Sequence, residues 1–342
     1  MTVADIDRSE RVAAAIRTVW GSVLPTEPFD PAISWRDAGV DSLKGLEIAL
    51  RIEQETGIPV PFHLMTQDVT LGEFIRLLSG PRREPPAATE SMFLVPGIYG
   101  DGPGLADFRA ELAASARIEV VALPSLDSSV GLLGRLDRTA AEVVEQILHR
   151  QPAGDVRLLG YSYGAFVAQE AARQLEAAGR RVSFLCLLDG GGRLKRRHGG
   201  MAPPAGSPPP DVRLRRELLA INALCRIGLW EIAHRRVLAA RSEGDWQRSE
   251  MARRIFLTRL RTFSILRHRF RPCAAPTLLI ASADFNLSRA MRLWRSVCPD
   301  LRVDSIAAGH VDMFDRPALL DVKAHVLDGW RWAQTRPPSG ST

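Results

Sequence analysis

The sequence is poor in cysteine, with four in 342 residues, and it has no long hydrophobic run. Cys186, Cys225, Cys273 and Cys298 share no spacing typical of a metal site, so we expect no bound metal and four reduced thiols. A membrane-spanning helix needs about 20 predominantly apolar residues in succession, and no such run occurs. The N-terminal MTVADIDRSERV also lacks the basic and apolar regions of a secretory signal. These absences predict a cytoplasmic protein without a membrane partner.

A nucleic-acid-binding motif is also absent, although one segment is strongly basic. Between Arg193 and Arg271 there are 19 arginines and lysines but only 6 acidic residues. They lie on amphipathic helical patterns such as DVRLRRELLAINALCRI, without interleaved aromatic residues, so we expect no nucleic-acid partner. The remaining composition, 46% hydrophobic and 25% charged, is that of an ordinary globular protein. The length is sufficient for two domains.

A segment rich in proline, alanine and charge divides the chain. SGPRREPPAATES, residues 79–91, has few apolar residues and is typical of a linker. We therefore predict a first domain at 1–80, a linker at 81–91 and a second domain at 92–335. The tail TRPPSGST leads us to expect disorder at 336–342.

Helical patterns dominate the first domain. In SERVAAAIRTVWGSVL, the apolar residues Val12, Ile16 and Val19 recur at spacings of three and four, as on one face of a helix. TLGEFIRLLSG begins at Thr70 and has Glu73 three residues later, which is the pattern of a capping box. The sequence thus predicts a small all-α bundle with a long first loop.

In the second domain, short apolar runs alternate with helical patterns. SMFLVPG, IEVVALP, VRLLGYS, VSFLCLLDG, PTLLIASAD and LRVDSIAAGH all have the composition of buried strands. Strands that alternate with helices predict an α/β fold, with a mostly parallel sheet covered by helices on both faces. An insertion at about 193–272 interrupts this alternation, and we expect it to form a helical lid.

One serine lies where a predicted strand becomes a helix. Gly160-Tyr161-Ser162-Tyr163-Gly164 matches the G-x-S-x-G pattern of a nucleophile elbow. The glycines have a physical reason, because a strained turn that exposes the serine hydroxyl leaves little room for a Cβ two residues away. We therefore predict that Ser162 is a catalytic nucleophile.

A serine hydroxyl needs a base, and the base needs an acid that orients it. His310 in AAGHVDMF follows a predicted strand near the end of the chain and is the best-placed histidine. Two acids follow predicted strands, Asp189 in LLDGGG and Asp284 in ASADF, and either can lie at the carboxyl edge of the sheet. The order serine, aspartate, histidine is that of an α/β-hydrolase with either acid.

The oxyanion that forms on nucleophilic attack requires preorganised N–H donors. One donor is expected to be the backbone of Tyr163, the residue after the nucleophile. The other is expected from the loop after the first strand, VPGIYGDG, with Ile98 as the best candidate, because the glycines allow close approach of the backbone.

The stretch GVDSLKGLEI places Ser42 at the start of a helical pattern, where a serine can act as an N-cap. However, residues 1–80 as a whole resemble an acyl or peptidyl carrier domain, with four helices, a long first loop and GVDSL opening the second helix. The resemblance implies that Ser42 carries a covalent 4′-phosphopantetheine, whose phosphate the helix N-terminus stabilises. It also implies a phosphopantetheinyl transferase as a partner.

Residues 92–335 resemble the α/β-hydrolase thioesterase domain at the end of nonribosomal peptide and polyketide synthases. The matching stretches are LVPGIYG, GYSYGAFVA, LLDGGG and GHVDMF. In that family the acid usually follows the sixth strand, so the resemblance favours Asp189 over Asp284. The chain starts at Met1 without a condensation, adenylation or ketosynthase domain, so we expect a freestanding protein or the last subunit of a split synthase.

The resemblance implies release of an acyl or peptidyl thioester through acyl-Ser162, by hydrolysis or cyclisation, with an upstream synthase module or carrier as a partner. Two alternatives stay open at this point. The second domain can be an acyltransferase that passes the chain to another carrier or acceptor. The protein can also be an inactive carrier module that shuttles acyl groups.

Overall fold

The computed structural model describes residues 3–23, 28–34, 37–38, 40, 42–58, 60, 70–79, 91–191, 212–242, 246–285 and 289–336. By its internal contacts the chain divides into two compact units, one of residues 1–89 with 102–114, the other of residues 90–101 with 115–342. No helix in the described ranges is long and apolar enough to cross a membrane.

The first unit is helical, as the apolar spacing predicted. The helices that the spacing predicted within residues 1–80 are described as α1 (Val3–Val23), α2 (Ser42–Thr56) and α3 (Leu71–Ser79). A further helix of this unit, α4 (Pro103–Leu112), lies in the range that was expected to belong to the second domain. A core of fully buried side chains joins α1, α2 and α3 and includes Ile16, Trp20, Ile48, Ile52 and Phe74. Three helices are thus described within residues 1–80, and the fourth helix of the expected bundle lies outside the described residues.

The capping box predicted at the start of the third helical pattern is confirmed. The Glu73 backbone N–H donates to Thr70 Oγ1 at 3.2 Å, and the Thr70 backbone N–H donates to Glu73 Oε2 at 3.1 Å. Each side chain satisfies a backbone donor that the first turn of a helix leaves without an internal partner. This reciprocal pair fixes where α3 begins.

The second unit contains the predicted parallel sheet. Its described strands are β1 (Ser91–Val95), β2 (Arg117–Val120), β3 (Val156–Tyr161), β4 (Val182–Leu188), β5 (Thr277–Ala281) and β6 (Leu301–Ser305). They pair in the order β2-β1-β3-β4-β5-β6, and every pairing is parallel. The carboxyl ends of all six strands therefore lie at one edge of the sheet, where loops can bring distant residues together.

Helices cover both faces of this sheet. They are α6 (Leu136–Arg150), α7 (Tyr163–Ala177), α11 (Arg289–Val297) and α12 (Ala318–Gln334), and the short helix α5 (Val130–Leu133) precedes α6. Side chains of α6, α7 and α11 join one core with alternate strand residues such as Phe93, Leu158 and Leu185. On α12, a Cβ added at Gly329 would overlap Leu278 of β5, so that helix packs closely on the sheet.

Three helices occupy the predicted insertion between β4 and β5: α8 (Val212–Arg226), α9 (Trp230–Ser242) and α10 (Trp246–Arg267). They have a hydrophobic core of their own, which includes Ile221, Val237 and Phe256. Leu133 of α5 also belongs to this core. The three helices therefore form a compact layer, called the α8–α10 layer below.

Two predicted boundaries shift by one residue. Ser91, expected at the end of the linker, is the first residue of β1, because its backbone pairs with Arg117 of β2. Arg336, expected in the disordered tail, donates its backbone N–H to the Ala333 carbonyl and lies 3.6 Å from the Asp300 carboxylate. The rest of the linker, 81–90, and of the tail, 337–342, lies outside the described residues.

Candidate active site

Ser162 occupies a strained turn between β3 and α7. Its backbone has φ 54° and ψ −113°, and it is one of two non-glycine residues with positive φ in the described part of the chain. Such a conformation is costly for a residue with a Cβ and persists only where surrounding contacts enforce it. Here the Ser162 N–H donates to the Leu188 carbonyl of β4 at 2.9 Å, which holds the turn against the next strand. The side chain is partly exposed, as a nucleophile must be.

The two glycines of the elbow are required by packing. A Cβ at Gly160 would overlap the Gly164 carbonyl, and a Cβ at Gly164 would overlap the carbonyl oxygens of Val95 and Pro96. The start of α7 therefore lies directly against the end of β1. This close approach explains in atomic terms why the pattern predicted glycine on both sides of the serine.

Replacing Gly164 with alanine should destabilise the second unit, because the added methyl group meets backbone atoms that cannot rotate away. We expect a loss in the free energy of unfolding at the upper end of, or beyond, the ~1–3 kcal/mol typical of overpacking. Gly131→Ala is a suitable control, since the nearest atom to its new Cβ, Ser129 Oγ, is 3.8 Å away. Urea unfolding followed by tryptophan fluorescence measures both variants. Equal midpoints for the two would contradict the close approach at the elbow.

His310 lies within hydrogen-bond distance of this serine. It follows β6, is 8% exposed, and its Nε2 atom is 3.0 Å from Ser162 Oγ. Its other ring nitrogen, Nδ1, is 2.5 Å from Asp189 Oδ2. Both ring nitrogens are thus engaged, one with a hydroxyl and one with a carboxylate. The arrangement suits an imidazole that accepts a proton from the serine while the carboxylate fixes its tautomer.

Asp189 is completely buried at the end of β4, the fourth described strand. Its backbone adopts a left-handed conformation with φ 50°, and its N–H donates to the Ile280 carbonyl of β5. The carboxylate accepts two further hydrogen bonds from Ser282, from the backbone N–H at 3.0 Å and from the hydroxyl at 2.7 Å. Burial of a carboxylate is costly unless hydrogen bonds satisfy its oxygens, and these bonds also aim it at His310.

Asp284, the other acid left open by the residues alone, occupies a different place. It follows β5, and its Oδ2 atom would lie 2.8 Å from a Cβ built on Gly309, the residue before the histidine. Its carboxylate is therefore beside the backbone that leads into His310, whereas Asp189 holds the ring nitrogen. Of the two acids, the structure brings Asp189 together with Ser162 and His310.

Two residues that support this arrangement were not singled out from the sequence, Tyr161 and Ser282. The Tyr161 hydroxyl donates to the His310 carbonyl at 2.9 Å, and its ring stacks on the imidazole with centroids 5.2 Å apart. Burial, together with the charges of Asp189 and Asp312, raises the pKa of Tyr161 above its ordinary value, so the phenol remains a donor. Tyr161 thus holds His310 in place, and Ser282 holds Asp189.

The expected oxyanion donors flank the serine. Tyr163 is the first residue of α7, where the helix leaves backbone N–H groups without an internal partner. Ile98 lies in the loop after β1, in a turn closed by the Gly100 N–H and the Gly97 carbonyl at 3.0 Å. A Cβ built on Gly97 would be 3.8 Å from Ser162 Cβ, so this loop lies beside the nucleophile. It is called the Gly97–Gly100 loop below.

Ser42 is the first residue of α2, a 15-residue helix without an acidic residue in its first turn. The backbone N–H groups at such a terminus and the helix dipole both favour a phosphate. The residues present therefore fit an attached 4′-phosphopantetheine. The first turn of α2 has no acidic residue that would repel its phosphate. The Ser42 side chain itself lies outside the described residues.

Two family models match the chain. Residues 14–78 match the model of the phosphopantetheine attachment site, and residues 90–207 match the model of the thioesterase domain. The first match contains Ser42, and the second contains the elbow and Asp189. His310 lies beyond the second match, so its place in the site comes from the structure.

Relatives among curated proteins include two synthases. The chain is 26% identical over 182 residues to indigoidine synthase of Dickeya dadantii, a match that covers 51% of this chain and 12% of that protein. It is 30% identical over 203 residues to the conidial pigment polyketide synthase alb1 of Aspergillus fumigatus, with 47% of this chain and 9% of that protein covered. The matches thus span about a tenth of these relatives' own length.

Among solved structures, the chain resembles the NocB thioesterase domain in covalent complex with a fluorophosphonate nocardicin G analog. The TM-score is 0.50 at 22% identity, and the match covers 71% of this chain and 95% of that one. This likeness supports the α/β fold of the second unit. The chain thus combines a region that matches the phosphopantetheine attachment site with a region that matches the thioesterase domain.

Proposed function

We propose that this protein releases an acyl or peptidyl chain from a phosphopantetheine thioester, by hydrolysis or cyclisation, through an acyl-serine intermediate. The observation that carries the proposal is the continuous chain of contacts from Ser162 Oγ to His310 Nε2 at 3.0 Å and from His310 Nδ1 to Asp189 at 2.5 Å. His310 and Asp189 are buried beside a strained, partly exposed serine. Nucleophilic acyl transfer requires this arrangement.

Acylation starts when Ser162 Oγ attacks the carbonyl carbon of an acyl thioester while His310 Nε2 accepts the hydroxyl proton. The developing negative charge on the carbonyl oxygen is stabilised by the backbone N–H groups of Ile98 and Tyr163. The Asp189 carboxylate orients and stabilises the protonated imidazole. His310 then returns its proton to the leaving sulfur as the carbon–sulfur bond breaks, and the acyl group remains as an ester on Ser162.

Deacylation repeats these steps with another nucleophile. His310 removes a proton from water, or from a hydroxyl or amine of the acyl chain, which attacks the ester carbon of acyl-Ser162. The same two N–H groups stabilise the second oxyanion, and His310 protonates Ser162 Oγ as it leaves. Water yields a free acid, and an internal nucleophile yields a lactone or a lactam.

We also propose that Ser42 is the residue that carries the 4′-phosphopantetheine. When attached, this group supplies a terminal thiol that holds the acyl chain as a thioester. Ser42 contributes the hydroxyl for attachment, and the N–H groups of the first turn of α2 stabilise the phosphate. The partners implied are a phosphopantetheinyl transferase and an upstream synthase module or carrier. The four cysteines are unpaired, which suits a cytoplasmic location.

Incubation with coenzyme A and a broad-specificity phosphopantetheinyl transferase should add one arm to the wild-type protein and none to Ser42→Ala. Intact-protein mass spectrometry measures the addition. Ser22→Ala is a control in the same domain, because Ser22 is exposed at the end of α1, where its hydroxyl donates to the Val19 carbonyl and accepts from Arg51 Nη1. Addition of an arm to the Ser42→Ala protein would show that the attachment site is elsewhere.

The release reaction is tested by loading the arm with acyl groups from acyl-coenzyme A and following the mass of the protein over time. Wild-type protein should lose the acyl group and form a free acid or a cyclic product. The acyl groups form a panel of different chain lengths. Stable acyl-arm species with every chain in the panel, together with no labelling of Ser162 by a fluorophosphonate, would overturn the proposed function.

A further inference from the structure

Three consecutive carbonyl groups of the Gly97–Gly100 loop are held by hydrogen bonds. The Gly97 carbonyl accepts from the Gly100 N–H at 3.0 Å. The Ile98 carbonyl accepts from Arg261 Nη1 at 2.5 Å, and the Tyr99 carbonyl accepts from Arg253 Nη2 at 2.7 Å. Both arginines belong to α10, so two of the three bonds tie this loop to the α8–α10 layer.

These bonds restrict where the Ile98 N–H can point. A trans peptide is planar, and its N–H and C=O point in opposite directions. The Ile98 N–H shares a peptide plane with the Gly97 carbonyl, so the turn to Gly100 orients that N–H. Arg261 holds the next peptide plane through the Ile98 carbonyl and thereby limits rotation about both backbone dihedrals of Ile98.

Arg261 also contacts the residue that provides the other expected donor. Its guanidinium carbon lies 5.4 Å from the ring centroid of Tyr163, the residue after the nucleophile. Nη2 donates to the Pro124 carbonyl at 3.0 Å, and this second bond fixes the plane of the guanidinium group. One side chain thus touches both segments that flank Ser162.

The position of Arg261 is unusual for a charged residue. It is 4% exposed, and in the described part of the chain its guanidinium group donates to the carbonyl groups of Ile98 and Pro124. Burial lowers its pKa to about 10, so that it remains protonated at neutral pH. Burial of a cation has a desolvation cost that hydrogen bonds to neutral carbonyl groups only partly offset. Its presence therefore suggests a role in addition to stability.

We propose that Arg261 is a positioning residue that holds the oxyanion-binding N–H groups of Ile98 and Tyr163 in place for the chemical step. The inference rests on the proposed function. It means that the geometry of the oxyanion site depends on α10. A displacement of this helix would weaken transition-state stabilisation without moving Ser162, His310 or Asp189.

The test uses the full-length protein with Arg261→Met and Arg261→Lys. Arg259→Met is the matched control, because Arg259 is exposed on the same helix and its Nε donates to Asn222 Oδ1 within the α8–α10 layer. Each protein is assayed with p-nitrophenyl esters and N-acetylcysteamine thioesters of several acyl chains. Inhibition constants are measured for a trifluoromethyl ketone, which forms an oxyanion on Ser162, and for the carboxylic acid product, which does not.

Loss of one complete oxyanion donor costs about 10²–10³ in kcat, so a misplaced donor should cost somewhat less. We expect kcat to fall about 30-fold in Arg261→Met and about 5- to 10-fold in Arg261→Lys, with KM changed by less than about threefold. The inhibition constant of the trifluoromethyl ketone should rise in parallel with the loss of kcat/KM. The inhibition constant of the acid and the kinetics of Arg259→Met should stay near those of the wild type.

If the wild type turns over and both Arg261 variants have kcat values within threefold of it, this inference is wrong while the proposed function still stands. A parallel loss of affinity for the acid, or an equal loss in Arg259→Met, would also overturn it, because it indicates general damage. If thermal unfolding shows that Arg261→Met is not folded, the same criteria are applied to Arg261→Lys. This variant keeps the charge and one hydrogen bond. Failure of the wild type itself to react with the fluorophosphonate would instead be a failure of the proposed function.

Discussion

Replacing Ser162 with alanine should lower the turnover of an acyl thioester by about 10⁶-fold, the loss expected when a triad nucleophile is removed. The substitution deletes the Oγ atom that lies 3.0 Å from His310 Nε2 and leaves the Cβ in place. Alanine and serine have the same backbone cost at φ 54°, so the strained turn is retained. The loaded arm should remain acylated in this variant over the time in which wild-type protein releases its chain.

Two controls make this result specific. Ser296→Ala removes an exposed hydroxyl on α11 that donates to the Leu293 carbonyl of the same helix. This variant should leave turnover unchanged. Thermal unfolding should give Ser162→Ala a midpoint close to that of the wild type. Release by Ser162→Ala at more than about a hundredth of the wild-type rate would mean that another group is the nucleophile.

Local patterns in the sequence predicted the features that depend on local geometry. The capping box at Thr70 and Glu73 is set by neighbours three residues apart, and it forms as expected. The glycines of the elbow are similar, because a single turn determines the space at Gly160 and Gly164. The parallel sheet followed from the alternation of strand and helix patterns, a property of the whole second domain.

The supporting residues of the site could not be predicted in this way. Ser282 is 93 residues from the aspartate it binds, and Arg261 is 163 residues from the carbonyl it holds. A serine after a strand and an arginine on a helix are common, and nothing in their local sequence distinguishes these two. Their roles arise only when the sheet and the α8–α10 layer bring separate segments together.

The choice between two acids was open for the same reason. Asp189 and Asp284 follow β4 and β5, which are neighbours in the sheet, so both reach the same edge. What separates them is backbone conformation. The left-handed turn at Asp189 accompanies a carboxylate that points at His310 Nδ1, while Asp284 lies beside Gly309.

Replacing Asp189 with asparagine should lower kcat by about 10⁴-fold, the loss found when a triad acid becomes an amide. The amide carries no charge to stabilise the imidazolium, and it can present an N–H where Nδ1 needs an acceptor. It also faces Ser282, whose backbone N–H and hydroxyl both donate to the carboxylate. Steady-state kinetics with the same thioester substrates measure the loss, and KM should change far less than kcat.

Asp284→Asn is the matched control for this prediction, because it makes the same chemical change one strand away. Its carboxylate lies near the Gly309 backbone rather than on a ring nitrogen of His310, so we expect its kcat to remain within about tenfold of the wild type. Thermal unfolding of both variants separates loss of the acid from loss of the fold. A larger fall in kcat for Asp284→Asn than for Asp189→Asn would assign the acid to Asp284. The buried hydrogen bond between Asp189 and His310 would then have a structural role only.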